Sequence, residues 1–178
     1  MNIVMIISYR SAAVILTILL LFVAPPTAMA RASAPDVVRF EGGMAAGTIV
    51  VRTSERRLYL VLGQGRALRY VVGVGRAGAQ WSGTSRIDGM FIRPHWAPPA
   101  EIRRDRPNLP AVIASGSPAN PMGAAAMTLS GGSYAIHGTN RPASIGGFVS
   151  YGCIRMQNDD ILDLYGRVHV GTRVVVTH

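Results

Sequence analysis

The chain has 178 residues, room for one domain with a sizeable core and hardly for two. Its formal charge of +9 comes from arginine alone on the basic side, and its single cysteine, Cys153, leaves no dithiol for disulfide exchange. His95, His137, His169 and His178 show no paired ligand spacing, so no metal and no cofactor is expected.

The mean hydropathy of +0.27 is high for a soluble domain, and the excess sits in the first thirty residues. There Arg10 precedes an apolar run from Ser11 to Ala24, two prolines follow, and Ala28-Met29-Ala30 supplies small residues. This is the layout of a secretory signal peptide, and a run of about 14 apolar residues falls short of the roughly 20 that span a bilayer. Residues 1–30 are therefore expected to export the chain to the periplasm or cell envelope, with membrane contact only if the segment stays uncleaved. An exported basic protein meets anionic envelope polymers, and no nucleic-acid partner is expected.

Residues 31–46 are small and polar with little periodicity and read as a linker, leaving 47–178 as the folded domain. The runs Thr48–Arg52, Arg57–Leu62 and Ala67–Gly75, separated by short turns, predict an antiparallel meander, and Arg86–Ile92 another strand. From Arg93 to Pro121, Pro94, Pro98, Pro99 and Pro107 rule out a continuous helix or central strand, which leaves a long ordered loop or lid. Strands resume at "AMTLS" and "YAIHG". "NDDILDLYGRV" predicts a helix with Asn158 as N-cap and Gly166 as stop, before "RVHV" and "TRVVVTH" close the chain as strands. The domain is mainly β with one or two short helices.

Gly73-x-Gly75-x-x-Gly78 has the spacing of a dinucleotide-binding turn, but no helical period follows it, so these glycines read as turns beside the meander. Cys153 has better support. Gly152 removes bulk beside it, Ser150 and Tyr151 suit an accessible loop, and His137 stands 16 positions upstream at the end of a strand. A thiol nucleophile needs a base within reach and a third group to orient that base. His137 fits the base; with no acid nearby in sequence, the carbonyl of Gly138 fits the orienter. Backbone N–H groups around Gly152 and Cys153 fit an oxyanion site.

His137-Gly138-Thr139-Asn140 followed by Ser150-x-Gly152-Cys153-Ile154-Arg155-Met156 resembles the signature of the L,D-transpeptidase catalytic domain of bacterial peptidoglycan enzymes. "NPMGAAAMTLSG", with Met122 where the family has Leu, "WSGTSRI", "HWAPPAEI" and the tail "DDILDLYGRVHVGTRVVV" are similar to further family segments, so the resemblance runs from Thr48 to Thr177. Tyr151 departs from the His or Arg that members carry. The resemblance implies a β-sandwich-like mixed sheet with Cys153 and His137 facing a cleft. It also implies a peptidoglycan tetrapeptide stem as donor, a Cys153 thioester, release of D-alanine and an amine acceptor. Arg155 and Arg141 suit the D-alanine carboxylate, since guanidinium pairs bidentately with carboxylates, while the motif position of Arg155 suits structural support equally; Tyr151, Ser150 and Asn140 are expected as further substrate contacts. The same residues suit an L,D-carboxypeptidase, a ligase joining a lipoprotein to peptidoglycan, or an inactive wall-binding domain.

Overall fold

The computed structural model describes residues 35–178; the signal segment expected at 1–30 lies outside them. The elements run β1 (Asp36–Arg39), β2 (Ile49–Arg52), β3 (Arg57–Gly63), β4 (Arg66–Val71), β5 (Val74–Gly75), β6 (Gly83–Ile92), α1 (Ala100–Asp105), β7 (Ala125–Leu129), β8 (Ala135–His137), β9 (Phe148–Ser150), β10 (Ile154–Arg155), α2 (Asn158–Tyr165) and β11 (Arg173–Thr177). Nine strands form one mixed sheet in the order β1-β4-β3-β2-β11-β6-β7-β8-β10, and β5 pairs with β9 in a small parallel ribbon.

The β2–β3–β4 meander forms as its alternating apolar residues and Gly-containing turns dictate. β11 joins it to the rest, parallel to β2 and antiparallel to β6. β6 serves both halves of the sheet: Gly83–Arg86 pairs with β11, Ile87–Ile92 pairs with β7, and the register shifts between Ile87 and Gly89. Such a bulge bends and twists a strand. As a result Ile49, Leu58 and Val174 from one half share a core with Met127, Ile136 and Ile154 from the other, closed by Ile161 and Leu164 of α2.

Alternation along β2 sends Val50 to the opposite face, with Tyr59, Val61 and Ala67. That second apolar stripe explains one correction. The segment 31–46, expected as a linker, contributes β1, which pairs with β4, and lays Val38, Phe40 and Met44 over the stripe. The Arg52 guanidinium sits 5.1 Å from the Phe40 ring centroid and 5.2 Å from that of Tyr59, sealing the layer.

Three further expectations change. The strand expected over Ala67–Gly75 breaks because Gly73 leaves β4 to exchange both backbone hydrogen bonds with Arg155, at 2.8 Å each. "RVHV" forms turns: the His169 N–H donates to Thr172 Oγ1 at 3.1 Å, and Gly171 turns the chain at φ +95°. The 93–121 segment is ordered and holds α1, which starts after Pro99 and ends at Asp105, two residues before Pro107, because Arg106, the residue preceding the proline, disfavours helix.

Candidate active site

β10 pairs in parallel with β8, Ile154 against Ile136 and Arg155 against His137, so 16 residues of separation collapse onto adjacent strands. Met156 N–H donates to His137 O at 2.8 Å and extends the pairing. Cys153 is a free, partly exposed cysteine in the turn between β9 and β10, its Sγ 4.0 Å from Ser133 O. The Sγ is nonetheless packed among protein atoms. Burial pushes its thiol up from the ordinary value, against the pull of the Ala135 N–H and the Arg155 charge.

His137 is 2% exposed, with Nδ1 2.7 Å from Gly138 O. A carbonyl oxygen only accepts, so Nδ1 carries the proton and Nε2 is left as the proton acceptor. Burial, then the Arg155 charge, holds the ring down at about 4, with the Gly138 and Pro121 carbonyls opposing. Cys153 therefore rests as a thiol and His137 as a neutral imidazole.

The turn itself is built by Ser150, which is 3% exposed: its Oγ donates to Cys153 O at 2.6 Å and accepts from Gly152 N–H at 3.1 Å. The Ser150 hydroxyl and the Gly152 N–H, expected at the substrate and at an oxyanion, are thus both hydrogen-bonded inside the turn. Gly152 has φ +116°, and a Cβ there would enter the Tyr134 ring, whose Cδ1 lies 2.9 Å away. Tyr134 stacks on Trp81 with centroids 4.8 Å apart, and Trp81 Nε1 donates to Gly152 O at 2.9 Å. The Gly73 and Gly75 of the dinucleotide-like spacing serve this turn: Gly73 pairs with Arg155, and β5 with β9.

On the other side of His137, Asn158 is the first residue of α2, with Gln157 at the N-cap, not the cap expected. Its side chain bonds elsewhere: Oδ1 accepts from Ala124 N–H and Thr139 N–H, and Nδ2 donates to Thr139 O, all at 3.0 Å. A Cβ on Gly123 or Gly138 would overlap Asn158 Oδ1, which explains both glycines. Sequence reasoning missed Trp81, Tyr134 and this use of Asn158. Trp81 lies in a family-like segment, whereas for Tyr134 no pattern pointed to the site.

Arg155 is half-buried, donates from Nη1 to Ser144 Oγ at 3.0 Å, and has a buried Nε without a partner among the described residues. Burial lowers it from its usual range, with Arg141 and Arg106 adding like charge. Arg141 is exposed. Asn140 is exposed and donates from Nδ2 to Pro118 O at 3.0 Å, tying the His137 loop to the 93–121 segment. Tyr151 donates its hydroxyl to Asp105 Oδ2 at 2.6 Å, so its hydrogen bond goes to the protein.

A family profile described as YkuD, L,D-transpeptidase catalytic domain, matches residues 46–176. The chain belongs to the L,D-transpeptidase catalytic domain family. The probable L,D-transpeptidase ErfK/SrfK of Salmonella typhimurium is 40% identical over 151 residues, 80% of this chain and 45% of that protein. The probable L,D-transpeptidase YbiS of Escherichia coli K12 is 40% identical over 135 residues, 71% of this chain and 43% of that protein. The chain thus spans less than half the length of these curated relatives. A cysteine-to-serine variant of an Enterococcus faecium L,D-transpeptidase has the same fold at a TM-score of 0.60 and 16% identity, covering 75% of this chain and 50% of that one.

Proposed function

We propose that the protein is an exported L,D-transpeptidase that cross-links peptidoglycan stems through an acyl-enzyme on Cys153. The observation that carries this reading is a free cysteine in the turn that leads directly into β10, beside the strand β8 that ends in a buried neutral histidine, the tautomer of that histidine fixed by Gly138 O. In a family of L,D-transpeptidase catalytic domains, that pair has an obvious use.

Sγ attacks the carbonyl carbon of the stem's third residue while His137 Nε2 takes the thiol proton. The Cys153 N–H faces the developing oxyanion. The C–N bond to D-alanine breaks, the departing amine takes the proton from His137, and a thioester remains. An amine of a second stem then attacks the thioester, passing a proton to His137, and the thiol is regenerated. Arg155, whose Nε has no partner among the described residues, and Arg141 supply guanidinium for the terminal carboxylate of the donor stem.

Intact-mass spectrometry of the protein with a disaccharide tetrapeptide tests this. The expected result is a thioester adduct that disappears in Cys153→Ala, is formed far more slowly in His137→Ala, and is accompanied by cross-linked dimer. Tripeptide alone identifies a carboxypeptidase. No adduct and no D-alanine release from folded protein refutes the enzyme and leaves a wall-binding domain.

A further inference from the structure

Asp105 is the last residue of α1, where a carboxylate opposes the helix dipole and gains nothing locally. Its partners are distant in sequence. Tyr151, two residues before Cys153, donates to Asp105 Oδ2 at 2.6 Å, and Arg76 Nη2 donates to the same oxygen at 3.1 Å. The Arg76 guanidinium lies 3.9 Å from the Tyr151 ring centroid, and its backbone N–H donates to Ser150 O at 2.9 Å. Three segments meet here: the end of β5, the helix of the 93–121 segment, and the Cys153 turn.

We propose that Arg76, Asp105 and Tyr151 form a latch that holds the 93–121 segment against the Cys153 turn and so decides whether the acyl group leaves to an amine or to water. This rests on the acyl-enzyme reading above and deepens it. Among the described residues, the side-chain hydrogen bonds and ion pairs of α1 that leave its own segment all run through Asp105. Arg103 Nε bonds back to Pro98 O within the segment. Around Asp105 stand Arg103, Arg104 and Arg106, and the site opposite carries Arg141 and Arg155 without a carboxylate partner among the described residues. Without Asp105, like charges face each other across the contact and favour opening. The Tyr151 hydroxyl, then Arg76, keeps the Asp105 carboxyl below its usual range, so it is charged wherever the enzyme works.

Partition follows from closure. In the resolving step, the incoming nitrogen or oxygen bonds to the thioester carbon, the C–S bond breaks, and the proton lost by the nucleophile returns through His137 to Sγ. A closed segment limits bulk water, while a bound amine is held in place. Asp105 and Tyr151 act as positioning residues, taking no part in bond changes.

The test uses the full chain as Asp105→Ala, Tyr151→Phe and the double variant. Tyr151→Phe keeps the ring under Arg76 and leaves the 93–121 sequence intact. One readout is the rate of tryptic cleavage after Arg103 and Arg104, since the Arg106–Pro107 bond resists trypsin; the other is the ratio of cross-linked dimer to tripeptide. Each single change is expected to raise cleavage and shift the ratio toward tripeptide by about threefold to tenfold, the range for one exposed charged hydrogen bond. The double variant is expected to match the larger single effect, since both remove the same contact. Unchanged cleavage or an unchanged ratio in Tyr151→Phe overturns the latch, as does full additivity or a wild-type enzyme that makes only tripeptide. Absence of any Cys153 adduct in the wild type is a different failure: it removes the acyl-enzyme, while cleavage still reports whether the latch closes the segment.

Discussion

Removing the Asn158 side chain isolates the structural support of the loops beside His137 from any chemistry at the histidine. In Asn158→Ala, the Ala124 and Thr139 N–H groups lose their acceptor and Thr139 O loses a donor, three hydrogen bonds of 3.0 Å in all. An amide left buried without a partner costs about 1–3 kcal/mol, so two give about 2–6 kcal/mol. Water lowers that figure, because Asn158, Gly123 and Thr139 also line a polar cavity of about 510 Å³. The expected cost is therefore about 2–3 kcal/mol, near the low end of the dry range. At about 2–4 °C per kcal/mol for a domain of this size, the thermal midpoint falls by roughly 4–12 °C. Asn158→Asp keeps the acceptor for both amides and adds charge at the first turn of α2, which the helix dipole favours, while the donor to Thr139 O is replaced by a carboxylate oxygen that must turn away from that carbonyl. It is expected to cost about 1 kcal/mol less than Ala. Thermal unfolding followed by circular dichroism measures both. If Ala costs under about 0.5 kcal/mol, or Asp costs more than Ala, the acceptor role of Oδ1 is wrong.

The buried His137 predicts a pH dependence. Its folded value of about 4 lies below the ordinary 6.5, so between them the unfolded chain binds more protons. Stability is then fully present above pH 6.5 and is lost as pH falls toward 4, by about 3 kcal/mol from this group. His137→Gln is expected to flatten that stretch of a urea-denaturation series, and an unchanged slope assigns it elsewhere. Gly152→Ala places a methyl group in the Tyr134 ring at a φ of +116°, displacing the Cys153 turn. Acylation is expected to drop about 100-fold, the order for a displacement near 1 Å, with stability falling about 1–3 kcal/mol. Pairing it with Tyr134→Ala relieves the clash but not the backbone strain, so partial recovery is expected, measured by the rate of adduct formation. Full recovery would mean that the backbone conformation is unimportant.

The sequence by itself determined the meander, the two strands that lead up to the histidine, and the candidate nucleophile and base, because each depends on residues close together along the chain. Short alternating runs bounded by glycine give a strand wherever the rest of the fold lies. The spacing of "HGTN" and "SYGCIRM" carried the resemblance to the family. What tertiary structure decided were the uses of groups whose partners come from remote segments. Asn158 has the residue type of an N-cap, yet its amide turns to two loops, because buried backbone groups there need an acceptor and a donor at once. The Gly152 amide looked free for an oxyanion until Ser150 folded back on it. Residues 36–44 show too little periodicity to read as structured, and they become so because the outer face of the meander offers an apolar stripe for Val38, Phe40 and Met44 to cover. Asp105 and Tyr151 stand 46 positions apart, a separation at which sequence pattern says nothing and chain topology decides the contact.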